Sequence, residues 1–168
     1  MIVEPGLIHF GGTMRNVSAS LVLAFLGLAS GLAGGQPSQA VSPERQAILD
    51  YQLTVTQADH LIAAMTAMTK YLVSLPDFRD RLAKSAKLTA AERIAQLEKD
   101  PTTTAILKQN ELTARDYLVG VPALRMALMA AQGAPNSPNI VASPANVAFA
   151  KANLAQLKPK MDAADAGR

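Results

Sequence analysis

The sequence predicts an all-α protein, an irregular single-domain bundle of about five to six helices that follows a cleaved signal peptide. Aromatic residues make up 4% of the 168 residues and Trp is absent, whereas β-strands draw on aromatic and β-branched residues. From position 56 onward the apolar residues recur at intervals of three and four, which is the period of a helix buried on one face. No stretch longer than a few residues alternates between polar and apolar, as a half-buried strand does.

The most apolar run of the chain, residues 17–33, follows Met14-Arg15-Asn16 and ends in small residues. A positive start, an apolar middle and a small-residue end are typical of a secretory signal peptide. The run is shorter than the ~20 apolar residues that a membrane span needs. We therefore expect cleavage rather than anchoring, after Ala40 in preference to Ala33.

The segment before this signal, residues 1–13, holds an acidic residue and a proline where a signal peptide carries positive charge. We interpret it as a misassigned start extension, with Met14 as the true start and residues 14–40 as the signal peptide. The protein is then exported, to the periplasm or outside the cell, and has no membrane span after cleavage.

The mature chain divides into three parts. Residues 41–55 are interpreted as a flexible tether, because they continue a stretch rich in Gly, Gln, Pro and Ser. Residues 56–160 form the helical domain, and residues 161–168 are expected to be a disordered tail.

Capping residues mark the helix starts. A Thr followed three residues later by an acidic residue predicts a capping box, and a capping residue before proline predicts a start with Pro at the first helical position. The Thr signals are Thr56 with Asp59, Thr89 with Glu92 and Thr113 with Asp116, and the proline signals are Asp100-Pro101 and Ser143-Pro144. The predicted helices span 56–74, 77–87, 89–99, 101–109, 113–132 and 144–158.

Two residues shape the fifth of these helices. Pro122 cannot donate a hydrogen bond to the carbonyl of Leu118, so we expect a kink near Gly120. Gly133 is placed to end the helix as its C′ residue. A proline-broken surface loop over residues 134–142 is expected to follow.

Composition also excludes several classes of protein. The chain has no cysteine, which excludes disulfides, thiolate metal sites and covalently attached haem. The net charge of +3 is mild and spread along the mature chain, whereas nucleic-acid surfaces cluster Lys and Arg and add stacking aromatics. We expect no nucleic-acid partner; the expected partner is an unidentified protein or small ligand.

Two methionine pairs and one histidine are the candidate ligand-binding residues. Met65 and Met68 lie one helical turn apart, and Met126 and Met129 repeat that spacing. Four converging thioethers would favour Cu(I), and His60 with a methionine could hold haem in a helical bundle. Methionine also fills irregular gaps in cores. We interpret both pairs as core residues and His60 as an exposed or partly buried helix histidine, and expect no metal and no cofactor.

Asp116 and Tyr117, with Arg115 beside them, are the candidates for an acid, a donor and an anion clamp. Asp116 already has a capping role, however, and no Ser, Cys or His stands in a nucleophile motif or phosphate loop. We therefore expect no catalytic residue.

Three segments together resemble a group of small exported all-helical bacterial proteins. These segments are "YQLTVTQADHLIAAMTAMTKYL", "ELTARDYLVGVPALRMALMAA" and "PANVAFAKANLAQL", within about residues 50–158. The resemblance implies an exported helical domain and assigns no catalytic residue. This chain departs from the group at Pro122, where the group has an uninterrupted helix.

The stretch "LTVTQ", residues 53–57, is similar to the LTxxQ element of periplasmic Spy-like stress chaperones. That likeness implies capture of unfolded clients on a concave surface, although the charged repeats of those chaperones are missing and LTxxQ is also nearly a capping box. The sequence thus predicts an exported non-catalytic helical protein, an envelope-associated interaction or binding module. The alternatives are a periplasmic chaperone and a carrier of a soft metal or haem.

Overall fold

A computed structural model describes residues 42–134 and 142–166 of the chain. Seven helices and no strand occur in these ranges, which confirms the all-α prediction. The helices are α1 Pro43–Asp50, α2 Val55–Ser74, α3 Phe78–Ser85, α4 Ala90–Lys99, α5 Pro101–Gln109, α6 Ala114–Ala131 and α7 Pro144–Ala166. None of them is long and apolar enough to cross a membrane. The start extension, the signal peptide and most of the 134–142 loop lie outside the described residues.

Capping boxes start three of the helices. The boxes predicted at Thr89 and Thr113 are present, each with the Thr hydroxyl accepting from the third amide of the helix and the carboxylate accepting from the Thr amide. The third box belongs to Thr54 and Gln57, so the predicted start at Thr56 is wrong by two residues. The reason is that a glutamine at the third position closes the box as well as an acidic residue does.

The two proline-marked starts are also present. The Asp100 carboxylate accepts hydrogen bonds from two amides of α5, and the Ser143 hydroxyl accepts from the Asn146 amide at 3.2 Å. Helix α6 ends in a Schellman motif with Gly133 at φ +78°, where Ala134 N–H donates to the Met129 carbonyl at 3.1 Å.

The expected tether contains a helix instead. Ser42 caps α1 by accepting from the Arg45 amide, and Pro43 occupies the first turn. Proline is favoured at that position because its fixed φ suits the helix and its missing N–H needs no partner. The prediction of a flexible 41–55 segment was therefore wrong for residues 43–50, and this helix raises the total to seven in the described ranges.

Helix α7 runs past its predicted end at residue 158, through Pro159, to Ala166. A proline inside a helix costs about 3 kcal/mol or more, so packing must compensate. Three residues on one face of α7 are buried: Leu157 precedes the proline, and Met161 and Ala164 follow it. Residues 161–166 are thus part of the core helix, and the expected disordered tail was wrong for them.

The core is built by three long helices with two short ones at the side. Helices α2, α6 and α7 contact one another and enclose the larger apolar cluster. Helices α4 and α5 contact each other and α6, and α5 also contacts α2. A smaller apolar cluster lies beside them and consists of Met68, Leu107 and Ala114. Leu112 and Tyr117 pack against both clusters. Helices α1 and α3 have no buried residue of their own and lie at the edge of this core.

A buried asparagine near the start of α7 joins this helix to the segment between α1 and α2. The Asn146 side chain, 3% exposed, donates through Nδ2 to the Tyr51 carbonyl at 2.7 Å and accepts through Oδ1 from the Leu53 amide at 3.1 Å. The segment between α1 and α2 is not helical, so these two backbone groups have no helical partners. Asn146 satisfies both and fixes the position of α1 relative to α7.

Helix α6 continues through Pro122 as one element from Ala114 to Ala131. The kink expected near Gly120 stays a prediction. Gly120 has a different role, because a Cβ built there lies 2.9 Å from both terminal methyl carbons of Leu61 and 2.9 Å from Cζ of Tyr51. Only a residue without a side chain lets α2 and α6 approach so closely.

Replacing Glu111 with Gly should stabilise the protein by about 0.5–1 kcal/mol. Glu111 follows the end of α5 and has a φ of 55°, in the left-handed region that is unfavourable for a residue with a Cβ. Its amide donates to the Lys108 carbonyl at 3.1 Å, so the conformation belongs to the helix end. Gly133→Ala is the matched control, with φ +78° and nothing within 4 Å of the added Cβ, and should be destabilising. Urea unfolding measures the change in the free energy of unfolding for both variants. A change of the same sign in both would contradict the role given to the left-handed conformation of Glu111.

Candidate binding groove between the first and sixth helices

A groove of about 480 Å³ lies between α1 and the first half of α6. Its α1 side is one helix face, because the lining residues recur three and four positions apart. Tyr51, one of the lining residues, is also the residue whose Cζ lies 2.9 Å from a Cβ built at Gly120 of α6. The lining residues are Pro43, Gln46, Ala47, Asp50, Tyr51, Arg115, Asp116 and Val119.

The polar groups of the groove differ in how they are engaged. Gln46 Nε2 donates to Asp50 Oδ1 at 2.8 Å along the exposed edge of α1. Asp116 Oδ2 accepts from the Thr113 hydroxyl at 2.6 Å and from the Thr113 amide at 3.0 Å, so this carboxylate is held as a cap. Arg115 is exposed. The groove therefore offers two carboxylates, a guanidinium and a phenol beside the apolar carbons of α1 and α6.

Tyr51 forms the floor of the groove on the α1 side. Burial raises the pKa of the Tyr51 phenol above its ordinary value, and the negative charge of Asp116 raises the pKa further. The phenol therefore stays protonated at neutral pH, and its O–H remains available as a hydrogen-bond donor.

The pKa of Tyr51 provides a test of this geometry. Followed by NMR, it should lie above the ~10 of a free tyrosine, and Asp116→Asn should lower it by removing the charge while keeping the side-chain shape. Asp50→Asn is the control, since Asp50 lines the same groove but does not contribute to the raised value. A Tyr51 that titrates like free tyrosine, or that responds equally to both variants, contradicts the described arrangement.

The four candidate methionines lie in different environments. Met65 is part of the larger core cluster and Met68 of the smaller one. The Met65 sulfur accepts a hydrogen bond from Arg125 Nη2 at 3.1 Å, and a guanidinium so close repels a metal cation. Met126 is half-buried and Met129 is 44% exposed. Met65 and Met68 are thus core residues, whereas Met129 lies on the surface and not in the expected core stripe.

The other predicted site residues are also separated. His60 is partly buried, with Nδ1 3.8 Å from Glu111 Oε2 at the end of α5, and Tyr117 packs between the two core clusters. Of the predicted residues, Asp116 and its neighbour Arg115 line the groove. In the described part of the chain, no group of three His, Cys, Asp or Glu side chains is arranged to hold a metal ion.

The α1 side of the groove was missed from the sequence. Ser42-Pro43 carries the same signal as Asp100-Pro101, a capping residue before a proline, and could have identified α1. The signal was outweighed by the Gly- and Pro-rich composition that precedes it. The pairing of α1 with α6 had no local signal, because it depends on contacts distant in the sequence.

Comparisons of the chain with protein-family models, with curated proteins and with solved structures gave no match. The groove therefore has to be interpreted from its own residues.

Proposed function

We propose that this protein is an exported, non-catalytic binding module that holds a small molecule in the groove between α1 and α6. The observation that carries this proposal is the groove itself, since its volume of about 480 Å³ falls within the ~300–1,000 Å³ typical of small-molecule sites. Its lining suits a ligand that has both an apolar part and groups able to pair with carboxylate, guanidinium or phenol.

The chemistry of the lining supports binding rather than catalysis. A nucleophile needs an adjacent base within hydrogen-bond reach, and the groove lining contains no Ser, Cys, Thr, Lys or His. The carboxylate of Asp116 is engaged by Thr113. A bound molecule would therefore be held by hydrogen bonds and apolar contact.

Export is supported by the position of the first helix relative to the signal-like segment. Cleavage after Ala40 would leave Val41 immediately before Ser42, the residue that caps α1. Every described helix would then be retained in the mature protein. Cleavage after Ala33 would retain them as well.

Native mass spectrometry of protein purified from whole expressing cells tests both parts of the proposal. We expect a chain that begins at Val41 and carries a retained small-molecule mass. Ala47→Trp should fill the groove and remove that mass, whereas Ala105→Trp, at an exposed position of α5 outside the groove, should keep it. A chain that begins at Met1 contradicts export. A wild-type protein without added mass, or equal retention by the two variants, contradicts the groove as the binding site.

A further inference from the structure

The positive charge of this protein is concentrated around one short helix. Four of the 16 Lys and Arg residues of the chain lie within residues 79–87, where Asp80 is the only acidic residue. This segment alone carries +3, which equals the net charge of the whole chain. The sequence-based expectation of evenly spread charge therefore does not hold for α3 and the turn after it.

Helix α3 presents these charges to solvent. Arg79, Lys84 and Lys87 are exposed, and none of the three forms an ion pair with a described residue. Arg81 differs, since its Nε lies 2.8 Å from Asp77 Oδ1. Three exposed cations thus lie within residues 79–87, with Asp77 and Asp80 as the acidic residues nearest to them in the sequence.

Apolar side chains border the same surface. Phe78 and Leu82 are only half-buried, because α3 packs against α2 and has no fully buried residue. Val73, near the end of α2 that leads into α3, is 46% exposed. A basic helix with partly exposed apolar residues beside its charges is typical of proteins that lie at the boundary of lipid headgroups and acyl chains.

We propose that α3 and the turn after it dock this protein on an anionic phospholipid surface, with Arg79, Lys84 and Lys87 facing the lipid phosphates. Charge complementarity identifies this partner, since the exposed cations of α3 and the turn after it outnumber the acidic residues beside them and match a negatively charged bilayer surface. Sites that bind single-stranded nucleic acid add exposed aromatic rings on which bases stack, whereas Phe78, the aromatic residue of α3, is half-buried. The docking surface is separate from the groove, because it contains no residue that lines the groove.

Cosedimentation with lipid vesicles tests the proposal on protein purified from cells expressing the full chain. We expect binding to phosphatidylcholine vesicles that contain phosphatidylglycerol, no binding to phosphatidylcholine alone, and weaker binding as salt is added. Arg79→Gln, Lys84→Gln and Lys87→Gln combined should reduce the partition coefficient by about 100-fold, from about 5-fold for each cation near the surface.

A matched control removes the same net charge elsewhere. Lys99, Lys108 and Lys151 are exposed on α4, α5 and α7, and changing all three to Gln should reduce binding far less. Far-UV circular dichroism and urea unfolding establish that both triple variants are folded. Equal losses from the two triple variants, equal binding to neutral and anionic vesicles, or retention of single-stranded DNA without retention of vesicles would each overturn the proposal.

Discussion

Replacing Asn146 with Ala should lower the free energy of unfolding by about 2–5 kcal/mol, because a buried amide and a partly buried carbonyl then lose their partner at about 1–3 kcal/mol each. Those groups are the Tyr51 carbonyl, which accepts from Asn146 Nδ2, and the Leu53 amide, which donates to Asn146 Oδ1. The expected effect is large for a polar residue because the side chain is 3% exposed and water cannot easily replace it. Urea denaturation of the purified variant measures it.

Asn153→Ala is the matched control for Asn146→Ala. Asn153 is also in α7, but its amide donates to the Phe149 carbonyl four residues earlier in the same helix, so its loss should cost under about 1 kcal/mol. Asn146→Asp separates the two hydrogen bonds, since it keeps an acceptor for Leu53 and removes the donor to Tyr51. Similar costs for Asn146→Ala and Asn153→Ala would contradict a joining role for Asn146.

Gly120→Ala should destabilise the protein, although Ala is favoured over Gly inside a helix by about 1 kcal/mol. The added Cβ would lie 2.9 Å from the terminal carbons of Leu61. Leu61 is fully buried in the larger core cluster, so it can yield only by displacing its neighbours. Overpacking of this kind costs about 1–3 kcal/mol. Leu61→Ala alone should cost about 2–5 kcal/mol through lost burial and the cavity it leaves.

The two substitutions should compensate when combined. In the Leu61→Ala background the Gly120 Cβ has room, so Gly120→Ala should there be neutral or stabilising, with an interaction energy of at least about 0.5 kcal/mol between the two sites. Tyr51, the other neighbour of that Cβ, is only partly buried and has the open groove beside it to shift into. Purely additive costs in urea unfolding would show that α2 and α6 do not meet at Gly120.

The local signals in the sequence predicted most helix starts. Thr89 with Glu92 and Thr113 with Asp116 form the expected boxes, because a capping box needs only residues three positions apart. The stripe on α2 was predicted for the same reason, and Leu61, Met65 and Met68 are buried as the spacing indicates. Capping boxes and buried stripes both depend only on residues within one or two helical turns of each other.

The candidate site was predicted poorly. Of the predicted residues, only the neighbours Arg115 and Asp116 line the groove. The thioether of Met65 lies in a core cluster, whereas that of Met129 lies on the surface. Spacing along one helix places residues on a face, but it does not say which faces of two helices meet. The shared spacing of the two methionine pairs therefore allowed a common site, whereas the structure places Met65, Met68 and Met129 in three different environments.

The sequence by itself determined the all-α class, most helix starts and the buried stripe of α2, since these depend on period and capping between near neighbours. Only the tertiary structure decided that α1 packs on α6, that a groove forms between them, and that α7 continues through Pro159. Each of these depends on contacts between residues far apart in the chain, such as Asn146 with Leu53 and Arg125 with Asp165. Burial at such contacts outweighs local preference, as it does where the packing of Met161 and Ala164 holds a helix together across a proline.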